Sequence, residues 1–349
     1  MAVTVLFMDQ DSAKPFTAAV SSTNPTGFET PDHDAIHTHL DDVSGKSAKK
    51  FNIRGPLVEV FNDFLKVLSK EKSAFGHSTG LSELDRFIGG LRPGKMFVIA
   101  SRPAMGKTSL MLNIAEHVCI DQKVPTLIFS AELTAFKVVQ RMMFSRANFV
   151  TSRLWRHDHQ LTKDDIRPIQ HAAIDLANAN LFVEDCTVLS IDALRATARR
   201  LKQENDIGFI AIDDLHCLKS DSPQAKHSHE REIADVSAGI KSLAKELGIP
   251  ILVLAQLNRK PENRNGYLLG VPRLSDLRDS GAIENDADTV GLLYRPSYYA
   301  ETDVDKEVDA GNAYLIVAKN RDGDTGDVPL LFIAEVMRFK DHEDPMDDW

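Results

Sequence analysis

Between the apolar run Met96-Phe97-Val98-Ile99-Ala100 and a helical pattern that begins at Ser109 lies Ser101-Arg102-Pro103-Ala104-Met105-Gly106-Lys107-Thr108. A strand, a tight loop, Gly-Lys-Thr and a helix together hold the phosphates of a nucleoside triphosphate. Backbone N–H groups wrap the phosphate oxygens, and the helix N-terminus adds positive potential. Lys107 has the reach for the β and γ phosphates, the Thr108 hydroxyl completes a Mg²⁺ shell, and Ser109 continues the nucleotide-binding set. The generic pattern has Gly where this chain has Ser101.

Carboxylates suited to such a site follow. Phe209-Ile210-Ala211-Ile212-Asp213 reads as a buried strand ending in a charge, which is where a metal and its waters are held beside a phosphate loop. Asp214 comes next and is one candidate for the base that polarises an attacking water. Glu132, after Leu127–Ala131, is a second candidate, and it equally suits the acidic start of a helix. Gln256 ends Ile251–Ala255 and is placed to sense a γ-phosphate. Composition and spacing leave the choice of base open.

These residues need a scaffold of alternating strands and helices. Strands are predicted at Met96–Ser101, Thr126–Ala131, Leu181–Asp185, Phe209–Asp213, Ile251–Gln256, Thr289–Tyr294, Ala313–Lys319 and Val328–Ile333. Helices between them, such as the stripe Ile233, Val236, Ile240, Leu243 and Leu247, make a mostly parallel α/β sheet flanked by helices. Residues 1–50 are polar and aperiodic, a low-order N-terminal segment. Within 51–75, Leu57, Val60, Phe61, Phe64, Leu65 and Leu68 form one apolar helix face that needs a partner surface. The main domain spans 76–340, and 341–349 form an acidic tail.

Composition narrows the function. With 41 basic and 51 acidic residues the formal net charge is −10, which excludes a surface that coats nucleic acid as a whole. Locally, Leu257–Arg278 carries Arg259, Lys260, Arg264, Arg273 and Arg278 against Glu262 and Asp276, a basic stretch within an acidic body. No run reaches the roughly 18 apolar residues of a membrane span. Cys119, Cys186 and Cys217 are widely spaced and read as buried thiols of a cytoplasmic protein. His157-Asp158-His159 and His227-Ser228-His229 read as polar loops rather than metal sites.

Seven ordered segments resemble the ATPase domain of bacterial hexameric replicative helicases (DnaB-like, superfamily 4). They are Ser78–Asp85, Gly89–Gly94, Ser101–Thr108, Phe129–Leu133, Ala255–Arg259, Ser275–Asp288 and Ala318–Gly326. The resemblance implies a RecA-like P-loop fold in a head-to-tail hexameric ring, with ATP and Mg²⁺ bound between subunits. It favours Glu132 as base and Asp213 as the metal-organising carboxylate, and matches Lys319 and Arg321 to the pair that reaches a neighbour's site. It also accommodates Ser101 in place of Gly. Arg278, Asp279 and Gly281 match positions on a single-stranded DNA backbone, alongside Arg259, Arg264 and Arg273. The implied activity is ATP-driven translocation, 5′ to 3′, that unwinds forked DNA during replication.

The chain also departs from the family. Its N-terminal collar domain has no counterpart in the roughly 50 residues before the linker helix of 51–75, which by resemblance docks on the next subunit. Asp214-Leu215-His216 stands where Tyr-Leu-Gln is usual. The acidic tail offers a docking peptide for a loader or other replication protein. Two alternative readings keep the fold: a RecA-like DNA-dependent ATPase or recombinase without unwinding, and a collarless subunit that modulates a host helicase ring.

Overall fold

The computed structural model describes residues 6–8, 15–17, 76–155, 161–186, 189–223, 225–264, 270–277, 281–299 and 310–342. The linker helix of 51–75, His157-Asp158-His159, Arg278, Asp279 and the tail from 343 lie outside them. Contacts divide the chain into Met1–Ala74 and Phe75–Trp349. In the first unit, β1 (Leu6–Met8) and β2 (Pro15–Thr17) pair antiparallel, with Phe7 opposite Phe16.

The second unit opens with α1 (Ser82–Ile88), β3 (Met96–Ser101), α2 (Lys107–Glu116), β4 (Thr126–Ser130), α3 (Ala135–Arg146) and α4 (Lys163–Asn178). It continues through β5 (Leu181–Glu184), β6 (Leu189–Ser190), α5 (Ile191–Asn205), β7 (Phe209–Asp213), β8 (Leu218–Lys219), α6 (His229–Leu247) and β9 (Ile251–Gln256). Last come α7 (Gly281–Asp286), β10 (Thr289–Tyr294), β11 (Asn312–Asn320), β12 (Gly326–Ile333) and β13 (Arg338–Asp341). The nine-stranded sheet runs β13-β12-β11-β10-β3-β9-β7-β4-β5. Its strands are parallel from β10 to β5 and antiparallel from β10 to β13.

The central strands are continuous apolar runs because both faces are covered. Along β3 the pleat sends Met96, Val98 and Ala100 into one core with Leu194, Ile233 and Ile240 of α5 and α6. Phe97 and Ile99 enter the other, with Leu110 and Ile114 of α2 and Val138 of α3. The edge strands differ: β11 alternates buried with half-buried positions.

Strand β13, Arg338-Phe339-Lys340-Asp341, has one apolar residue and carried no strand pattern in the sequence. Tertiary contacts make it a strand. Phe339 stacks on Phe332 with centroids 4.4 Å apart, and its backbone N–H donates to Asn113 Oδ1 at 2.8 Å. Its charged flanks suit a sheet edge. Asp341, read with the tail from sequence, closes β13 and accepts from the Ser82 hydroxyl and backbone N–H at the start of α1. Among the cysteines, Cys119 is buried and Cys217 half-buried, but Cys186 is exposed, because β5 ends just before it.

At the amino end of β3, Asp288 is buried among cations. It accepts from the Met96 N–H at 2.8 Å and the Lys241 ammonium at 2.5 Å, and Arg321 Nη1 stands 3.4 Å away. Burial pushes the Asp288 pKa up, but the bonds from Lys241 and Met96 outweigh it and hold the pKa below the ordinary value. Its contribution to stability is therefore fully present above the unfolded value of 3.8 and is lost only as pH falls below it. Among the described residues, no helix is long and apolar enough to cross a membrane.

Lys241→Met should destabilise the domain by about 3 kcal/mol in urea unfolding at neutral pH, since Asp288 loses its shortest cation contact. Adding Asp288→Asn should recover most of that loss. An unchanged midpoint in the single variant would show that Arg321 and Lys95, whose ammonium lies 3.9 Å from Asp288 Oδ1, suffice.

Candidate nucleotide site

Parallel register brings the sequence candidates to one edge. Ser101 pairs with Gln256 across β3 and β9, and Ser130 with Asp213 across β4 and β7. The carboxyl ends of four strands thus converge where the polypeptide turns into α2, the usual position of a ligand crevice in an open α/β sheet. The turn itself demands glycine. Gly106 has φ +98° as the residue before α2, and an added Cβ would lie 3.1 Å from the Phe339 ring.

Lys107 emerges from this turn and is almost fully buried. Its ammonium lies 3.4 Å from Asp213 Oδ1 and 3.3 Å from Asp214 Oδ2. The Thr108 hydroxyl donates to Asp213 Oδ2 at 2.8 Å. Gln256 Nε2 donates to Asp214 Oδ2 at 2.9 Å, and the His216 N–H to Asp214 Oδ1 at 2.9 Å. Residues from α2, β7, β9 and the turn after β7 therefore share one hydrogen-bonded set. Hydroxyl and carboxylate oxygens at Thr108 and Asp213 are the hard donors that a Mg²⁺ ion selects.

One ammonium faces three carboxylates. Burial pulls the Lys107 pKa down, but Asp213, Asp214 and Glu132 outweigh it and leave it raised. Burial pushes Asp214 up, but Lys107, His216 and Gln256 outweigh it and leave its pKa lowered. Glu132 is exposed in the loop after β4. Partial desolvation, with help from Asp213 and Asp214, raises its pKa against the opposing pull of Lys107 and Arg141. Two buried carboxylates and one outer carboxylate of raised pKa thus surround the lysine, and the outer one is suited to accepting a proton. Burial, then Asp214, pushes the Cys217 thiol up to about 11.

The other phosphate-loop residues have supporting contacts. Ser101 Oγ donates to the Arg102 carbonyl at 2.8 Å, and the Arg102 guanidinium reaches Glu262 Oε1 at 2.7 Å and the Leu257 carbonyl at 2.9 Å. Pro103 and Ala104 form the exposed tip, Ala104 at φ +65°, while Met105 and Ser109 are buried.

The basic stretch after β9 divides by environment. Arg259 and Arg273 are exposed. Arg264 Nη2 donates to both oxygens of buried Asp276 at 2.8 Å, and Nη1 donates to the Val271 carbonyl. Gly281 is exposed at the start of α7, and a Cβ there would meet nothing within 4 Å. Lys319 donates to the Ala287 carbonyl at 2.7 Å and to the Glu284 carbonyl, and Arg321 donates to the Asn285 carbonyl. Both stand with Asp288 beside Met96, at the far end of β3 from Ser101. Six strand residues put about 17 Å between those ends.

Sequence reasoning missed Asp288, Lys241 and Glu262 as supports for this machinery. Asp288 had a signal: a charge immediately before the apolar run Thr289–Tyr294. His227 and His229 are exposed, near Pro223 and Glu232, but His227 ends a 3-10 turn and His229 opens α6, so neither lies in the loop read from sequence.

Comparison with known proteins identifies a family. A sequence model of the DnaB-like helicase C-terminal domain matches residues 76–341. The chain is 34% identical over 317 residues to the replicative DNA helicase DnaC of Bacillus subtilis, which covers 90% of this chain and 67% of that protein. It is 34% identical over 297 residues to the replicative DNA helicase DnaB of Geobacillus stearothermophilus, covering 85% of this chain and 63% of the relative. With DnaB of Leifsonia xyli the identity is 38%, over 78% of this chain and 57% of the relative. The chain thus spans between just over half and two thirds of these relatives' lengths. Among solved structures, an ATPase domain superposes with a TM-score of 0.75 at 28% identity, over 84% of this chain and all of that one. A DnaB-like replicative helicase, solved in a study of its interactions with primase, gives 0.71 at 28% identity, over 90% of this chain and 73% of the other. The shared fold is RecA-like.

Gly106→Ala should weaken binding of a fluorescent nucleoside diphosphate at least about tenfold, through both the positive φ and the Phe339 ring. Adding Phe339→Ala removes only the steric part, so partial recovery is expected in fluorescence titrations. Unaltered affinity in Gly106→Ala would mean that the loop conformation does not govern binding.

Proposed function

This chain belongs to the DnaB-like helicase C-terminal domain family, and from that premise we propose that it is the ATP-hydrolysing motor of a ring-shaped DNA helicase, translocating 5′ to 3′ on single-stranded DNA and unwinding forks during replication. One observation carries the reading. Lys107, Thr108, Asp213, Asp214 and Gln256 form one set at the carboxyl edge of the sheet, while Lys319 and Arg321 stand at the opposite edge. A subunit cannot bring its own guanidinium to its own phosphates across about 17 Å. A complete site therefore needs a second copy, supplied head to tail in a closed ring such as a hexamer.

In this mechanism Lys107 leaves Asp213 and Asp214 for the β and γ phosphates of ATP. Thr108 and Asp213 would hold Mg²⁺, which when bound offsets charge on the phosphates. Glu132 accepts the proton of the attacking water. Arg321 of the neighbouring copy, held in the free chain by a 3.4 Å contact and half exposed, moves to the transferring phosphoryl group. Release of Asp214 by Lys107 leaves Gln256 as its remaining side-chain tie in this set. That tie joins the state of the site to the loop after β9, which bridges Leu257 to Leu277 ahead of Gly281. Arg259, Arg273, Arg278, Asp279 and Gly281 would follow the DNA backbone without reading sequence, with Arg264 shaping the loop through Asp276.

Ring assembly has further support in an apolar surface. Phe136 and Val139 of α3 and Ile166 and Ile174 of α4 are exposed, as a face covered by a neighbour's helix would be. The apolar stripe Leu57–Leu68, read as a helix from sequence, would be that neighbour's segment. The replicative helicase names of the relatives favour unwinding over a recombinase or a modulator of another ring. The tail would engage a loader or other replication protein.

Strand displacement on a fork with a 5′ tail should require ATP and Mg²⁺ and vanish in Lys107→Ala; ATP hydrolysis without displacement would overturn the helicase reading. Arg321→Ala should keep nucleotide affinity and lose most turnover, with partial rescue when mixed with Lys107→Ala subunits. Normal hydrolysis by Arg321→Ala alone would remove it from the site. Glu132→Gln should cost at least about 100-fold in turnover and more than Asp214→Asn; the reverse order would transfer the base role. Since the base works deprotonated and its pKa is raised, wild-type turnover should fall on acidification with a midpoint above 4.5.

A further inference from the structure

Beside the oxygen donors that suit Mg²⁺ lies a second donor set of different chemistry. One ligand atom each from Glu132, Asp214 and Cys217 lies within 4.8 Å of the other two. His216 Nδ1 is 4.0 Å from Asp214 Oδ1, so an imidazole borders the same point. The geometry points to a binding site for a thiophilic divalent cation of the zinc type, formed by Cys217, Asp214 and Glu132 with His216 alongside, whose occupation switches off ATP hydrolysis.

The donor types carry the choice of metal. Mg²⁺ takes near-octahedral oxygen shells and gains nothing from sulfur. Thiolate, imidazole and carboxylate together select Zn²⁺, which binds them at about 2.0–2.3 Å in a tetrahedron. Donors of such a tetrahedron lie about 3.5 Å apart, so the three atoms must close by roughly 1 Å. Glu132 is exposed and Cys217 half-buried, so each has room to turn, whereas Asp214 is fixed by Lys107, Gln256 and the His216 N–H. The rigid carboxylate anchors the ion and the two outer donors fold onto it.

The Cys217 thiol stands beside the Asp214 carboxylate. Binding forms a metal–sulfur bond and releases the thiol proton to solvent, with no change of oxidation state. The ion would remove Glu132 from proton transfer while Asp214 keeps its tie to Gln256. Nucleotide binding through Lys107 and Thr108 would remain. The inhibitory consequence rests on Glu132 being the base; the binding itself does not.

The experiment uses the full chain with Cys186→Ser, which removes the exposed thiol. Co²⁺ serves as the probe, and Zn²⁺ as its competitor. Expected is a thiolate-to-cobalt charge-transfer band with tetrahedral visible bands, displaced by Zn²⁺ and absent when Cys217→Ser is added. Cys217→Ser should keep basal Mg²⁺-dependent hydrolysis and need at least about tenfold more Zn²⁺ for half inhibition, because loss of even a supporting group costs that much affinity. Cys217→Ala provides the same comparison if the serine variant is unstable. A cobalt spectrum and zinc sensitivity indifferent to Cys217 would overturn the site. A Cys217-dependent spectrum with zinc-insensitive hydrolysis would overturn inhibition, and with it the role of Glu132.

Discussion

Two adjacent carboxylates buried against a single ammonium are the constraint on which the rest of this domain depends. Asp213 and Asp214 are almost wholly removed from water, and charges so placed persist only when paired and hydrogen-bonded. Lys107 answers both, Thr108 answers Asp213, and Gln256 and the His216 N–H answer Asp214. These partners come from α2, β9 and the turn after β7. The strand register and the glycine turn are therefore fixed by the need to deliver these groups to one place.

The same economy of charge operates at the other end of β3. Asp288 accepts from Lys241 and from the Met96 N–H, so Arg321 can leave it without stranding a buried carboxylate. Lys319 is held by carbonyls near the end of α7, where burial and then Arg321 lower its pKa. One edge of the sheet thus gathers carboxylates around a single ammonium, and the opposite edge carries the cations Lys319 and Arg321. In the proposed ring, two copies stacked head to tail would bring these edges together.

Much of this was legible in the chain. The six-residue run Met96–Ser101 and the runs ending at Asp213 and Gln256 were recognisable because buried parallel strands are continuously apolar, and their observed bounds agree with the reading. Strand β13 was not legible, since its strand character comes from Phe332, Asn113 and pairing with β12 rather than from its own four residues. Nor was the division of the arginines. Arg264 and Arg273 look alike in sequence, yet Arg264 grips a buried aspartate and Arg273 faces solvent.

By itself the sequence determined the phosphate loop, the order of strands and helices, and the carboxylates available to it, because local periodicity and turn chemistry are written in neighbouring residues. Only tertiary structure decided which carboxylate Lys107 and Gln256 would hold, that Glu132 stays outside with a raised pKa, and that Lys319 and Arg321 stand across the sheet from their own loop. Those outcomes depend on desolvation and on distances between residues far apart along the chain, which no local pattern encodes.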